Sequence, residues 1–265
     1  DAEFEGAPGE RRLRSGGERL TALMPVHLYG RAAAVGEIAR LAARENAVVI
    51  EDAAQAIGAK EGGSSVGSFG QTGCFSFYPT KNIGGAGDGG AVVTDNEELA
   101  AKLRALRVHG MNGEGSYELV GLNARMGEMQ AAVINAKLAH LGEWTEARRA
   151  IARRYDELLS DRRPQISLAA AAPEEGHVYH QYVVRIDGDR DRVATRMQES
   201  GIATAVFYSK ALHQQPALAA GRVPDGGLPE SERAAREVLC LPVYPSLGDD
   251  TAVRVAETLI DACGG

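Results

Sequence analysis

The 265-residue sequence lacks the features of several large protein classes. It has no run of about 18 apolar residues and no repeat of fixed period, so neither a membrane-spanning helix nor a solenoid is expected. It also has no excess of basic residues: the net charge of -7 argues against nucleic acid as a partner. With 44% hydrophobic and 25% charged residues, the composition is that of a globular protein with one large or two modest domains.

Cysteine is scarce. Cys74, Cys240 and Cys263 are odd in number and lack the spacing of metal ligands, so we expect a reducing compartment, by default the cytoplasm, and no metal site. We expect no signal peptide. The chain does not begin with Met, which indicates a fragment or a processed protein.

Lysine is also scarce, with five among the 29 basic residues, and one of the five is unusual. Lys81 follows a short aromatic strand and precedes the glycine-rich run 84–90. An amine held among aromatic side chains is poorly hydrated as ammonium, which lowers its pKa and makes it a better nucleophile toward an aldehyde. Lys81 is therefore a candidate Schiff-base lysine, and the alternative is a surface lysine that follows a buried strand.

Apolar periodicity predicts an α/β fold. We expect a loop or disordered tail over 1–20, a first domain over 21–142 and a second, smaller α/β domain over 143–265. The first domain contains a βαβ unit, so its sheet should be mostly parallel and flanked by helices. A long helix from Arg125 to about Leu159 is expected to bridge the two domains, and a capping box over Thr94–Glu97 to open another helix.

Two polar side chains lie where predicted strands end. His27 follows the first strand and Asp52 the next, and ligands of such sheets bind beyond the carboxyl ends of strands. A carboxylate at a buried strand end needs a partner, for which a ligand's pyridinium nitrogen would serve. Asp52 could equally cap the following turn. The run 84–90 formally matches the dinucleotide fingerprint, but a strand follows it instead of a helix, so we reject a dinucleotide site and expect its glycines to allow close approach of a bulky ligand.

Six short motifs stand in order along the chain and resemble the DegT/StrS-type sugar aminotransferases, which are pyridoxal-phosphate (PLP) enzymes of fold type I. The motifs are Glu51-Asp52-Ala53-Ala54-Gln55-Ala56, Gly67-Ser68-Phe69-Gly70, Ser76-Phe77-Tyr78-Pro79-Thr80-Lys81-Asn82, Gly87-Asp88-Gly89-Gly90-Ala91, Gly121-Leu122-Asn123-Ala124-Arg125-Met126 and Leu241-Pro242-Val243-Tyr244-Pro245. The similarity runs from about Leu23 to the C-terminus.

The resemblance implies a role for each matching residue. Lys81 would form the Schiff base with PLP and move the proton between the substrate carbon and the cofactor. Asp52 would keep the pyridine nitrogen protonated, Gln55 would contact the side of the ring that carries the phenolic oxygen, and Ser76 would bind the phosphate. Asn123 would reach the phosphate in the neighbouring subunit of a homodimer.

Substrate contacts are implied less directly. His27 would form a wall of the site, and Tyr208 and His213 fall in a segment that in the family lies near the sugar but is usually richer in His and Pro. Residues 1 to 20 contain neither the phosphate-binding helix N-terminus nor the ring-stacking aromatic of the family, which puts the competence of the chain by itself in doubt.

The function implied is transfer of an amino group from glutamate or glutamine, through the pyridoxamine form (PMP), to a nucleotide-linked keto sugar. The segments His27–Gly30 and Tyr78–Lys81 are most similar to members that act on a 3-keto-6-deoxyhexose, as in antibiotic biosynthesis. Alternatives are a keto-cyclitol aminotransferase of aminoglycoside pathways and a non-catalytic PLP-binding module. The sugar dehydratases of the family are disfavoured because they carry histidine where Lys81 stands.

Overall fold

The computed structural model describes residues 4–5, 7, 9–10, 12–13, 19–160, 165–218, 221, 223–224 and 226–264. The strands are β1 (Phe4–Glu5), β2 (Arg12–Leu13), β3 (Ala22–Leu23), β4 (Val48–Asp52), β5 (Lys60–Glu61), β6 (Ser64–Ser65), β7 (Thr72–Ser76), β8 (Gly90–Val93), β9 (Ile166–Leu168), β10 (Tyr182–Ile186) and β11 (Val238–Leu241). The α-helices are α1 (Val35–Arg44), α2 (Glu97–Leu106), α3 (Glu128–Leu138), α4 (Leu141–Leu159), α5 (Arg190–Glu199), α6 (Pro229–Glu237) and α7 (Asp249–Gly264). Short 3-10 turns lie between them.

The chain divides into two compact units. The first unit comprises Asp1–Glu143 and Pro173–Val178, and the second comprises Trp144–Ala172 and Tyr179–Gly265. The sequence-based partition at residue 143 therefore missed a short return of the chain to the first unit. Val178 accounts for this return, because its fully buried side chain packs in an apolar cluster with Ala53, Ala56, Ala59 and Val66.

The sheet of the first unit has the strand order β3-β4-β7-β8. β3, β4 and β7 are parallel, whereas β8 is antiparallel to β7. α1 connects β3 to β4 and completes the predicted βαβ unit, with Val35 and Ala42 packed on Val49 of the sheet. β7 and β8 are joined by residues 77–89, which contain no helix, and an antiparallel pair needs no helical crossover. The central part of this sheet is thus mostly parallel, as expected.

Several predicted element boundaries were wrong. The expected tail over 1–20 lies partly outside the described residues, and its described part includes the antiparallel pair β1–β2. α2 is capped by Asn96, whose side chain accepts a hydrogen bond from Leu99 N, and not by Thr94. The Thr94 hydroxyl instead donates to Gln71 O.

The single helix expected from Arg125 to Leu159 is two helices. α3 ends at Leu138 and α4 begins at Leu141. At the break the His140 N–H reaches back only three residues, to Lys137 O. Apolar spacing alone does not reveal such a short interruption, because apolar residues at helical spacing occur on both sides of it.

The second unit is built on the antiparallel sheet β11-β10-β9. Its core includes Ile151, Tyr155 and Leu159 of α4, together with residues of β10, β11, α5 and α7. The Tyr155 and Tyr182 rings lie 4.8 Å apart between centroids. β10 begins at Tyr182, after a 3-10 turn at Glu174–Gly176.

Ala205 forms an isolated antiparallel bridge to Cys240 of β11. Within the described ranges, no helix is both long and apolar enough to span a membrane.

Candidate active site

Lys81 lies in the loop that leaves the carboxyl end of β7. Its backbone N–H donates to Tyr78 O (2.9 Å), which closes a tight turn, and its side chain is partly buried. No residue in the described part of the chain accepts a hydrogen bond from its amine or lies close enough for a salt bridge. Desolvation by burial lowers the pKa of Lys81, and the charge of Asp52 opposes this shift only in part. The Lys81 amine thus has no hydrogen-bond acceptor among the described residues, has a lowered pKa and lies within electrostatic range of the Asp52 carboxylate.

The loop that carries Lys81 is restrained by a side-chain hydrogen bond to a distant part of the chain and by a backbone hydrogen bond across its base. The Asn82 side chain donates to Val178 O (2.9 Å), and the adjacent Ile83 is fully buried. Gly85 N donates to Phe77 O (2.8 Å), which closes the base of the loop. These contacts leave Lys81 on a fixed backbone.

The glycine-rich run 84–90 packs against α3. Ala86 N donates to Gln130 Oε1 (2.8 Å), and Lys137 Nζ donates to Gly84 O (2.6 Å). A side chain at Gly85 would meet Gln130 Oε1 at 2.7 Å, and one at Gly87 would collide with the same amide. We expected these glycines to make room for a ligand. In the structure the close neighbour at Gly85 and Gly87 is the Gln130 side chain, so packing against α3 already accounts for glycine at these two positions.

Asp52 ends β4, where it pairs in register with Cys74 of β7. Its Oδ1 accepts a hydrogen bond from Ala54 N (3.0 Å), so Asp52 does cap the following turn. Its second carboxylate oxygen accepts no hydrogen bond from any described residue. Its charge acts on both Lys81 and Cys74: burial raises the pKa of the Cys74 thiol, and Asp52 raises it further against the hydrogen bond from Thr72. The two alternatives for Asp52 are therefore compatible, since one oxygen caps the turn and the other is open to a ligand.

Glu51, which sequence reasoning did not single out, is the more buried of the two adjacent carboxylates. Its side chain is 0% exposed and its oxygens accept four hydrogen bonds. The donors are Phe69 N (2.7 Å) and Gly70 N (2.9 Å) to Oε1, and Gly67 N (2.7 Å) and His27 Nε2 (3.1 Å) to Oε2. Burial alone would raise the pKa of Glu51, but these hydrogen bonds outweigh it and hold the pKa below its usual value. The alternation of β4 was the available signal, because Val49 and Glu51 share the buried face.

His27 is a hydrogen-bond partner of Glu51. It is 0% exposed, and its Nδ1 accepts a hydrogen bond from Ala33 N (3.1 Å). Because Nδ1 is an acceptor, the ring proton sits on Nε2 and is donated to Glu51. Both ring nitrogens are committed, so the expected substrate contact by His27 is not supported.

Gln55 and Ser76 lie near the ends of β4 and β7. Gln55 Oε1 accepts a short hydrogen bond from Tyr29 N (2.6 Å), which fixes the orientation of its amide. Ser76 is the last residue of β7, and its hydroxyl oxygen accepts a hydrogen bond from Tyr78 N (3.2 Å). With Asp52 and Lys81, both belong to the same unit and to the same edge of its parallel strands.

Asn123 is exposed and does not cap α3. The residue that precedes α3 is Gly127, and Asn123 Oδ1 accepts a hydrogen bond from Arg125 Nε (3.1 Å). The local alternative for Asn123, a helix cap, was therefore wrong.

Tyr208 and His213 belong to the second unit. The Tyr208 side chain is half exposed, whereas His213 Nε2 pairs with Glu232 Oε1 (3.0 Å). His213 Nδ1 is buried without a hydrogen-bond partner among the described residues. The structure does not test their expected contact with a sugar.

Residues 16–260 match the DegT/DnrJ/EryC1/StrS aminotransferase family. The chain belongs to this family. A relative of Geobacillus stearothermophilus named "Pleiotropic regulatory protein" is 44% identical over 248 residues, which are 92% of this chain and 66% of the relative. The dTDP-3-amino-3,4,6-trideoxy-alpha-D-glucose transaminase of Streptomyces venezuelae is 43% identical over 241 residues, or 91% of this chain and 63% of that enzyme. Family membership confirms the resemblance found in the motifs.

Solved family members share the fold. The S. venezuelae protein DesV, whose crystal structure contains a ketimine intermediate, superposes with a TM-score of 0.86 and 42% identity over 92% of this chain and 66% of DesV. This confirms the fold type I architecture that the sequence predicted. The chain spans 63–66% of the length of these three proteins.

Proposed function

We propose that this chain carries the cofactor-binding lysine of a PLP-dependent aminotransferase. The observation that carries the proposal is Lys81, whose amine is partly buried, has no hydrogen-bond acceptor among the described residues and has a lowered pKa. At a given pH, a lysine with a lowered pKa is a better nucleophile toward an aldehyde than an ordinary surface lysine.

The residues around Lys81 fit the groups of PLP. The carboxylate oxygen of Asp52 that accepts no hydrogen bond from a described residue suits a protonated ring nitrogen, and the hydroxyl of Ser76 can donate to a phosphate. When bound, PLP supplies an electron sink that stabilises a carbanion next to the amino group. Asp52 would hold the proton on the ring nitrogen, because an opposite charge nearby favours the charged form. Gln55 would orient the ring, and Lys81 would carry the proton to and from the substrate carbon.

The proposed acceptor is a nucleotide-linked keto sugar, with a 3-keto-6-deoxyhexose as the specific candidate. Its support is the 43% identity to a transaminase named for a dTDP-3-amino sugar. Glutamate or glutamine is the proposed donor, and PMP would carry the amine between the two half-reactions. Tyr208 and His213 are the proposed sugar contacts, and the cytoplasmic location expected from cysteine usage stays a prediction.

We further propose a homodimer in which Asn123 reaches the partner's cofactor. Large apolar side chains flank Asn123 in exposed positions: Val120 is 100% exposed, Leu122 72% and Met129 86%. We propose that these side chains form one exposed patch, which would be typical of an interface.

The test is a half-reaction. The purified protein is loaded with PLP, and the cofactor absorbance is followed when glutamate or glutamine is added. Conversion to the PMP spectrum is expected, with Lys60→Met behaving as the parent and Lys81→Met inert. Cofactor that binds but does not respond to either donor would favour a non-catalytic module. A keto sugar nucleotide and a keto-cyclitol are then compared as acceptors of the amino group. A faster return of the PLP absorbance with the keto-cyclitol would overturn the sugar assignment.

A further inference from the structure

The hydrogen bonds around Glu51 form a closed set. Two backbone N–H groups meet one carboxylate oxygen, and a third N–H and the His27 ring meet the other. A carboxylate has about four acceptor directions, so Glu51 has no capacity left for a ligand or a proton. Glu51 therefore does not act on substrate, and its effect must pass through what it holds.

His27 joins Glu51 to Ala33, which follows the 3-10 turn Leu28–Gly30. Its ring spans from Glu51 Oε2 to Ala33 N, and its backbone N–H donates to Asp52 O (3.0 Å). Asp52 N in turn donates to Pro25 O (2.9 Å). Both the backbone N–H and the C=O of Asp52 are thus hydrogen-bonded to residues 25–27, which precede the turn Leu28–Gly30.

The same turn presents the backbone group that orients Gln55. Tyr29 lies in the 3-10 turn Leu28–Gly30 with φ of 61°, a backbone conformation that is uncommon for a residue other than glycine. Its N–H donates to Gln55 Oε1 at 2.6 Å. A strained residue persists only where its surroundings fix it. His27 directly precedes this turn, and its ring accepts a hydrogen bond from Ala33 N beyond the end of the turn.

We infer that Glu51 and His27 are a positioning pair for the two residues proposed to contact the cofactor ring, Asp52 and Gln55. The inference rests on the proposed function, since it names what orients that site. The pair sets the backbone at Asp52 through the strand end and the amide of Gln55 through Tyr29. Neither Glu51 nor His27 touches the cofactor.

Glu51→Gln is the informative change because it keeps the size of the side chain. An amide has one acceptor oxygen, and its NH₂ group would face N–H donors. If the NH₂ points to His27, the imidazole must move its proton to Nδ1, where it meets Ala33 N–H. Every arrangement leaves at least one buried donor unpaired, so the turn and the strand end must shift.

Glu45→Gln is the matched control. Glu45 is a second buried carboxylate of the first unit, 4% exposed, at the end of α1, where it accepts a hydrogen bond from Gly9 N (3.3 Å). Both changes should lower the melting temperature. Only Glu51→Gln is expected to raise the PLP dissociation constant, on the order of tenfold or more, the range seen when a group that orients a metal ligand is removed. Glu45→Gln should stay within about twofold of the parent.

A second pair of variants covers the case in which Glu51→Gln does not fold. His27→Gln retains a donor to Glu51, whereas His27→Leu removes both ring contacts, so PLP should bind more tightly to the Gln variant than to the Leu variant. Independently of cofactor, ¹⁵N NMR of the parent should show His27 neutral with its proton on Nε2.

The outcomes separate two failures. If the parent binds PLP and Glu51→Gln binds it as Glu45→Gln does, the positioning role is overturned while the proposed function stands. Equal binding by the two His27 variants, or a proton on Nδ1 of His27, would also overturn it. If the parent forms no borohydride-stable adduct with PLP, the proposed function falls, and this inference falls with it.

Discussion

Replacing Lys81 with Met should separate chemistry from folding. Met keeps most of the aliphatic stem and removes the ammonium. In the structure that ammonium has no hydrogen-bond acceptor among the described residues, so the variant loses no direct polar contact. It also escapes the desolvation that lowers the pKa of Lys81. The attraction of Asp52 opposes this gain, so we expect the free energy of unfolding without cofactor to change by less than about 1 kcal/mol at neutral pH.

The pH dependence of the free energy of unfolding tests the direction of the Lys81 pKa shift. The folded state holds the Lys81 proton less tightly than the unfolded state, so the unfolded state binds more protons between the lowered pKa and about 10.4. Over that window the stability of the parent should rise with pH relative to Lys81→Met, and the difference should be constant below it. Urea unfolding of the two proteins at a series of pH values measures this difference.

The covalent readout is borohydride reduction after incubation with PLP, followed by mass mapping. The parent and Lys60→Met should carry the reduced cofactor on Lys81, and Lys81→Met should carry none. A label that persists in Lys81→Met would refute the assignment. If Lys81→Met lowered the free energy of unfolding by more than about 2 kcal/mol, Lys81 would stabilise the fold, contrary to its lack of a hydrogen-bond acceptor among the described residues.

Three further predictions concern the surroundings of Lys81. Asp52→Asn should retain PLP but lose most transaminase activity, since an amide cannot favour a protonated ring nitrogen; a parental rate in the half-reaction would leave Asp52 as a turn cap only. Lys137→Met should cost about 1–3 kcal/mol in urea unfolding, because Gly84 O loses a charge-assisted hydrogen bond, and should speed amide exchange at Gly85; unchanged exchange would mean that α3 does not restrain the loop. Mixing Lys81→Ala with Asn123→Ala subunits should restore up to half of the parental activity per heterodimer if sites are shared, whereas sites built within one subunit would give only the average of the two parents.

The parts of the site found from sequence are those with a local signal. Asp52 and Lys81 follow apolar strands, and polar residues at strand ends in a parallel sheet converge at one edge. Lys81 was also distinguished by its aromatic neighbours and by the scarcity of lysine. Local patterns were sufficient to place both residues at or just beyond strand ends, because strand ends are set by the chain around them. Their roles toward a cofactor stay predictions.

The partners of these residues come from distant parts of the chain and gave no such signal. Glu51 and Asp52 are adjacent carboxylates that point to opposite faces of β4, and only the loop around Gly67 decides which one is buried. In the same way, periodicity places Lys137 at the border of the apolar stripe of its helix. It cannot predict that the Lys137 ammonium donates a hydrogen bond to Gly84 O. An apolar stripe predicts which face of a helix is buried. It does not predict which backbone carbonyl of another segment lies near a given side chain.

The return of Pro173–Val178 to the first unit has a consequence for dissecting the protein. A cut after Glu143 looks natural in sequence, yet it would remove Val178, whose side chain fills the cluster of Ala53, Ala56, Ala59 and Val66. It would also remove the carbonyl that holds Asn82, the residue next to Lys81. The first unit is therefore discontinuous in sequence, and its folding cannot finish during synthesis until residue 178 has left the ribosome.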